Sequence, residues 1–232
     1  MIQKTKADYL REHKSWGNIK VINIPEESEK LAELVGIILG DGNVHIYKKG
    51  KKVGVYSVRI AGNYLKDYSY LTIHIANIFK ELFEVKPRIY KQLNTNCFYI
   101  IVEGKLIVDF LISIGLKPGN KIKSQVTIPD WIKENGVYLK ACIRGLIDTD
   151  GCVYEMLPHW PGLFQINFEN RDIALLRDTR EALIKLDFHP SKICGKRTLN
   201  GTKIYISRKE EIKKFYKEIG SSNDRNIKQF NK

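Results

Sequence analysis

A twelve-residue pattern occurs twice in this chain, and that repetition limits the possible folds more than any bulk property. Residues 31–42 read LAELVGIILGDG and residues 140–151 read KACIRGLIDTDG. A shift of 109 positions sets Ala32 on Ala141, Leu34 on Ile143, Gly36 on Gly145, Ile37 on Leu146, Ile38 on Ile147, Gly40 on Thr149, Asp41 on Asp150 and Gly42 on Gly151. A period this long means one supersecondary unit used twice. After Gly42 come β-like runs at Val44–Lys49 and Val53–Gly62, a helical pattern over Tyr64–Phe83, further β-like runs at Lys86–Lys91 and Cys97–Glu103, and a short apolar helix at Lys105–Leu116. After Gly151 the order recurs: strands at Val153–Met156 and Leu163–Asn167, a helix at Asp172–Leu186, strands near Pro190–Lys196 and Lys203–Ser207, and a helix at Glu210–Ile219. The alternation in VYSVRI, LFQINF and KIYIS has the period two of half-exposed strands. The sequence therefore predicts an α+β fold of two pseudosymmetric αββαββα repeats. Residues 31–120 form the first repeat and 137–232 the second. A linker at 121–136 lies between them, within a stretch rich in Lys, Gly and Pro, and residues 1–30 form a basic N-terminal extension.

Ala32, Gly36 and Gly40 lie four apart, so they share one helix face, as do Ala141, Gly145 and Thr149. Stripes of small residues let two backbones approach closely, and the natural partner of one stripe is the other. Apolar Leu34, Ile37, Ile38, Ile143, Leu146 and Ile147 would then turn toward the sheets. Each motif ends in Asp-Gly. The glycine suits a helix C-cap, but the aspartate sits at the negative pole of the helix. If the helices pack in parallel, Asp41 and Asp150 also approach each other. At about 4 Å and an effective dielectric near 20, that repulsion is roughly 4 kcal/mol. Two such acids at equivalent positions suggest a site for a divalent cation. Carboxylates with the backbone carbonyls of Gly40 and Thr149 are hard oxygen ligands that suit Mg²⁺.

The net charge of +13 and pI near 9.5 point to a polyanionic partner, of which nucleic acid is the commonest. The N-terminus has no apolar signal segment, and no apolar run is long enough to span a bilayer, so the expectation is an intracellular protein, cytoplasmic or organellar, neither secreted nor membrane-bound. Cys97, Cys142, Cys152 and Cys194 have no C-x-x-C spacing and the histidines form no paired motif, which argues against structural zinc. No P-loop pattern occurs.

LVGIILGDG (34–42) and IRGLIDTDG (143–151) resemble the motif of the LAGLIDADG homing endonucleases. Two motifs in one chain are similar to the single-chain, pseudosymmetric branch, and the likeness in element order extends over about 200 residues. One departure is Leu39, where the second motif has Asp148. The resemblance implies motif helices packed at the domain interface and two antiparallel sheets forming a DNA-binding saddle. It further implies catalytic, metal-binding Asp41 and Asp150, and a double-strand break with short 3′ overhangs made in a long double-stranded target by an intron-encoded monomer. It also implies a lysine late in each half near the active centre. Lys123 and Lys228 match that placement, and Lys121 is the rival of Lys123. Two rival readings share this scaffold: a maturase that binds intron RNA, and a DNA-binding regulator. Retention of both acids favours the nuclease.

Alternation then sorts the strand residues. With Val58, Ile60, Phe164, Ile166, Phe168, Ile204 and Ile206 inward, the residues facing DNA would be Ser57, Arg59, Gln165, Asn167, Lys203, Tyr205 and Ser207. His45, Tyr47, Arg88 and Tyr90 join them, with Lys192 and Lys196 as partners. Arg suits guanine, and Asn or Gln suits adenine. Lys48, Lys49, Lys51 and Lys52, in the first hairpin turn, suit phosphate contacts.

Overall fold

The computed structural model describes residues 22–49, 52–156, 159–195 and 202–230. The N-terminal extension up to residue 21, Lys51, Lys196 and the side chains of Lys48, Lys49 and Lys52 lie outside that description. In the first half, helix α1 (Glu29–Leu39) leads into β1 (Gly42–Lys49) and β2 (Lys52–Asn63). A π-helical turn (Tyr70–Ile75) then runs into α2 (Ala76–Phe83), followed by β3 (Arg88–Lys91), β4 (Cys97–Glu103) and α3 (Lys105–Ser113). Two single-turn helices, α4 (Lys121–Ser124) and α5 (Asp130–Lys133), bridge to the second half. There, α6 (Gly136–Asp150) leads into β5 (Gly151–Met156), β6 (Trp160–Asn170), α7 (Ile173–Lys185), β7 (Thr202–Ile206), α8 (Lys209–Glu218) and α9 (Asp224–Phe230).

Both sheets are antiparallel, in the orders β1-β2-β4-β3 and β5-β6-β7. Their inner faces carry Val44, Val58, Ile60, Phe98, Ile100 and Val102 in one half, and Val153, Ile166, Phe168, Ile204 and Ile206 in the other. All are buried against the helices. The α+β class and the paired antiparallel sheets are thus as the repeat predicts.

Three details differ from the sequence expectation. The helix expected from Tyr64 begins only at Tyr68, because local side-chain bonds compete for the preceding backbone. Asn63 Oδ1 accepts the N–H groups of Leu65 (3.0 Å) and Lys66 (3.2 Å), and Asp67 accepts that of Asn63 (3.0 Å). The strand expected at Pro190–Lys196 is reduced to a bridge between Cys194 and Lys203. Pro190 has no N–H to give, and Ser191 Oγ, rather than a backbone carbonyl, accepts the Tyr205 N–H at 3.1 Å. Gly42 and Gly151 are not left-handed caps: each opens a strand, and Gly151 is extended at φ −99°. They are glycines because a Cβ would press into the backbone of Ile38 or Ile147 in the helix just ended.

The motif helices lie side by side, backbone against backbone. A Cβ on Gly36 would collide with the Cys142 carbonyl, and one on Gly145 would stand 2.5 Å from the Glu33 carbonyl and 2.8 Å from the Ile37 nitrogen. Gly40 meets the Thr149 side chain, while Ala32 and Ala141 are fully buried. At the rim of this contact, Glu33 is almost wholly buried. It accepts from Arg144 (2.7 Å), His74 (2.8 Å) and Ser222 Oγ (2.9 Å). Burial pushes its pKa up, but the His74 and Arg144 hydrogen bonds and charges outweigh this and hold it at about 2.

Candidate active site and nucleic-acid face

Parallel packing brings the C-terminal ends of α1 and α6 together, and with them Asp41 and Asp150. The two carboxyl groups are close enough for the charge of Asp41 to act on Asp150. Asp41 keeps contact with solvent, whereas Asp150 is half-buried and takes a bond from Asn170 Nδ2 at 2.6 Å. Both pKa values are raised. Desolvation by the surrounding protein is the main cause for each; the charge of Asp41 adds to it at Asp150, and Lys121 opposes it at both. Two carboxylates this close cannot both ionise cheaply unless a cation stands between them. Their hard oxygens, beside the helix-end carbonyls, fit a divalent metal. Among the described residues no cluster of three or more His, Cys, Asp or Glu offers an alternative metal site.

The carbonyls at each helix end are also capped by a basic side chain. Lys121 Nζ donates to the carbonyls of Leu39 (2.8 Å), Ile38 (3.4 Å) and Gly40. Burial lowers its pKa, and the charges of Asp150, Asp41 and Asp172 oppose that. At the other end Arg225 Nη2 donates to the carbonyls of Asp148 (3.2 Å), Thr149 (3.4 Å) and Gly151 (3.4 Å). The Gly40 and Thr149 carbonyls assigned to metal therefore already accept one bond each, and each keeps a second lone pair.

Lys121, not Lys123, is the basic group at the acids. Lys123 is exposed, and its backbone N–H is spent on the Asn120 side-chain cap of α4. The position of Lys121 follows from its neighbours. Gly119 N–H bonds the Val44 carbonyl (2.9 Å), and Asn43 Nδ2 bonds the Gly119 carbonyl (2.9 Å), tying this turn to the start of β1. Lys228 is exposed too. It lines a cleft with Leu65, Lys66, Tyr68, Asp224 and Arg225, while a matching cleft holds Lys121, Asp150, Asn170 and Arg171. Arg225 takes the place expected of Lys228.

Sequence reasoning missed the residues that carry Arg225. Asp148 accepts from Ser221 Oγ, Ser222 N–H (2.6 Å) and Asn226 Nδ2 (3.1 Å). Burial raises its pKa to about 6 against these bonds. The departure from the first motif at this position was the available signal.

On the outer faces, Arg59, Tyr47, Arg88 and Tyr90 are exposed, and His45 is half-exposed with its ring stacked toward Tyr47 (6.5 Å). Arg88 is ion-paired to Glu103 at 2.5 Å. Asn167, Lys203 and Tyr205 lie half-buried on the outer face of the second sheet. Two expected contacts are corrected. Ser57, flanked across the strands by His45 and Glu103, is fully buried. Gln165 is also buried, held by the Tyr154 hydroxyl of the paired strand. Ser207 is exposed just past β7, and Lys192 lines a separate depression with Arg177 and Arg180 of α7. Among the described residues no helix is long and apolar enough to cross a membrane.

Comparison with known proteins agrees with this geometry. Residues 138–220 match the family model described as a LAGLIDADG-like domain. The chain is similar in structure to I-DmoI in complex with DNA and Mn (TM-score 0.60, 22% identity, covering 84% of this chain and 98% of that one). It is also similar to the meganuclease I-SmaMI bound to uncleavable DNA (0.57, 12%, 87% and 88%) and to the homing endonuclease I-WcaI bound to its recognition sequence (0.55, 16%, 99% and 95%). Two curated proteins of Methanocaldococcus jannaschii also match. They are the replication factor C small subunit, 28% identical over 62% of this chain, and reverse gyrase, 26% identical over 63%. The chain spans less than a tenth of the length of either relative, 8% and 7% respectively. The fold is that of the LAGLIDADG homing endonucleases, and its second half carries a LAGLIDADG-like domain.

Proposed function

We propose that this protein is a site-specific, divalent-metal-dependent DNA endonuclease that cuts both strands of a long double-stranded target as a monomer, leaving short 3′ overhangs. The observation that carries this reading is the juxtaposition of Asp41 and Asp150 at the ends of two helices packed backbone to backbone. Structures of similar fold are described as DNA complexes, some with Mn or Mg, which supports the partner and the class of cofactor.

Asp41 and Asp150, with the Gly40 and Thr149 carbonyls, would hold the cation, Mg²⁺ in our reading. When bound, it supplies a polarised water and charge stabilisation at the scissile phosphate. The chain's own groups do the rest. Asn170 orients the Asp150 carboxyl group. Lys121 and Arg225 cap the two helix ends and set positive charge beside the acids, where the phosphate's developing negative charge needs it. Arg59, His45, Tyr47, Tyr90, Asn167, Lys203 and Tyr205 offer a polar, partly basic surface to base edges and backbone. The net charge of +13 makes binding salt-dependent through counterion release.

The test is cleavage of a DNA library spanning many candidate sites with Mg²⁺, using the Asp41→Asn/Asp150→Asn double variant as control. Defined double-strand ends from the native chain alone are expected. Equal cutting by the variant, or none by the native chain on any duplex, would overturn the proposal.

A further inference from the structure

Two buried carboxylates outside the acid pair sit at comparable places in the two halves, each between the second strand and the helix that follows. Asp67 follows β2 and Asp172 follows β6. Each is nearly inaccessible, 7% and 1% exposed. Each also bonds outside its own half. Asp67, in the first half, accepts from Asn223 Nδ2 (3.2 Å) and lies 3.5 Å from Arg225 Nη1, both in the second half. Asp172, in the second half, accepts the N–H of Val126 (2.9 Å), in the segment that follows Lys121, and its charge acts on Lys121 itself. The remaining bonds of both carboxylates are local: Asp67 takes the Asn63 N–H, and Asp172 takes those of Ala174 and Leu175 as the cap of α7.

We propose that Asp67 and Asp172 are reciprocal positioning residues, each half lending a buried carboxylate that fixes the basic group serving the other half's helix end. Asp67 fixes Arg225 at the end of α6, and Asp172 fixes Lys121 at the end of α1. Neither carboxylate hydrogen-bonds to Asp41 or Asp150, although the charge of Asp67 also acts on Asp41. The positioning role runs through the segment each one holds. Because Lys121 and Arg225 cap different helix ends and line separate clefts, each carboxylate governs the cut in one strand. That last step rests on the endonuclease reading; the positioning itself does not.

The test uses Asp67→Asn and Asp172→Asn in the full chain. Asparagine keeps the size and, at position 172, the ability to cap α7, so both variants are expected to fold, with thermal melting as the check. Hydrogen exchange of the metal-free protein is read first. Asp67→Asn should speed amide exchange in 221–226 and leave 120–126 unchanged, and Asp172→Asn should do the reverse, each by about tenfold for the loss of one charge-assisted contact. Strand-resolved nicking of an end-labelled target is read second. Each variant should slow one strand about tenfold, a different strand in each case. Uniform exchange changes in both segments would overturn the positioning roles, as would equal slowing of both strands by both variants. If the native chain cuts nothing while the exchange pattern holds, the endonuclease reading fails and the reciprocal positioning stands.

Discussion

At the end of α1 the capping group is Lys121, carried on a turn tied to β1 by one backbone pair and by Asn43. At the end of α6 it is Arg225, carried on a segment gripped by the buried Asp148. The first half has Leu39 where the second has Asp148, and apolar packing there replaces three hydrogen bonds. The acids match while their supports do not. The difference teaches that the motif fixes where the carboxylates go, whereas the scaffold that steadies the surrounding charge was built separately in each half.

The largest effect should come from forcing the halves to match. Asp148→Leu gives the second half the residue of the first and leaves two hydroxyl or amide donors and one backbone N–H without their acceptor. About 3–5 kcal/mol of stability should be lost in urea unfolding. A loss below 1 kcal/mol would mean the two supports are interchangeable.

Glu33 tests what the halves share. Its folded pKa, near 2, lies below the 4.5 of a free glutamate, so its stabilisation is complete above pH 4.5 and fades as pH falls from 4.5 toward 2. That amounts to about 3 kcal/mol, and Glu33→Gln should cost about this much at pH 7. The gap between native and variant melting curves should close through that window. A gap that stays constant down to pH 2 would contradict the assignment.

Gly36→Ala and Gly145→Ala probe the one contact that is nearly symmetric. Each should cost about 1–3 kcal/mol, because a Cβ must push backbone atoms apart. Unequal costs beyond that range, measured by chemical denaturation, would show that the helices can relax on one side only. Lys123→Ala and Lys228→Ala should do least. Both are exposed, so stability should shift by less than about 0.5 kcal/mol. If either contacts a phosphate, the salt slope of DNA binding should fall by about one with turnover unchanged.

Much of the fold was legible in the sequence because the repeat is strong at the positions where burial is strict. The small-residue stripes, the strand alternation and the acids at helix ends can all be read from spacing. The missed parts depend on contacts far apart in the chain. Choosing Lys121 over Lys123 required knowing that the Gly119 turn docks on Val44. Arg225 could not be found by looking for a lysine. Ser57 and Gln165 have the outward parity expected of them, but parity says nothing about how far a position is buried. The helix start at Tyr68 was obscured because Asn63 and Asp67 capture the preceding N–H groups.

The Glu33–Arg144 pair also decides which halves can be partners. In the repeat, Glu33 corresponds to Cys142 and Arg144 to Val35. Two copies of the first half packed on the same glycine contact would set Glu33 against a valine, burying an acid with no arginine to meet it. Two copies of the second half would bury an arginine facing a thiol. The Gly36 and Gly145 contacts alone would accept any of these pairings, so the choice falls to Thr149, which a second Thr149 would crowd where Gly40 now sits, and to the ion pair at the rim. That pair makes self-assembly of either half costly and favours one chain folding upon itself.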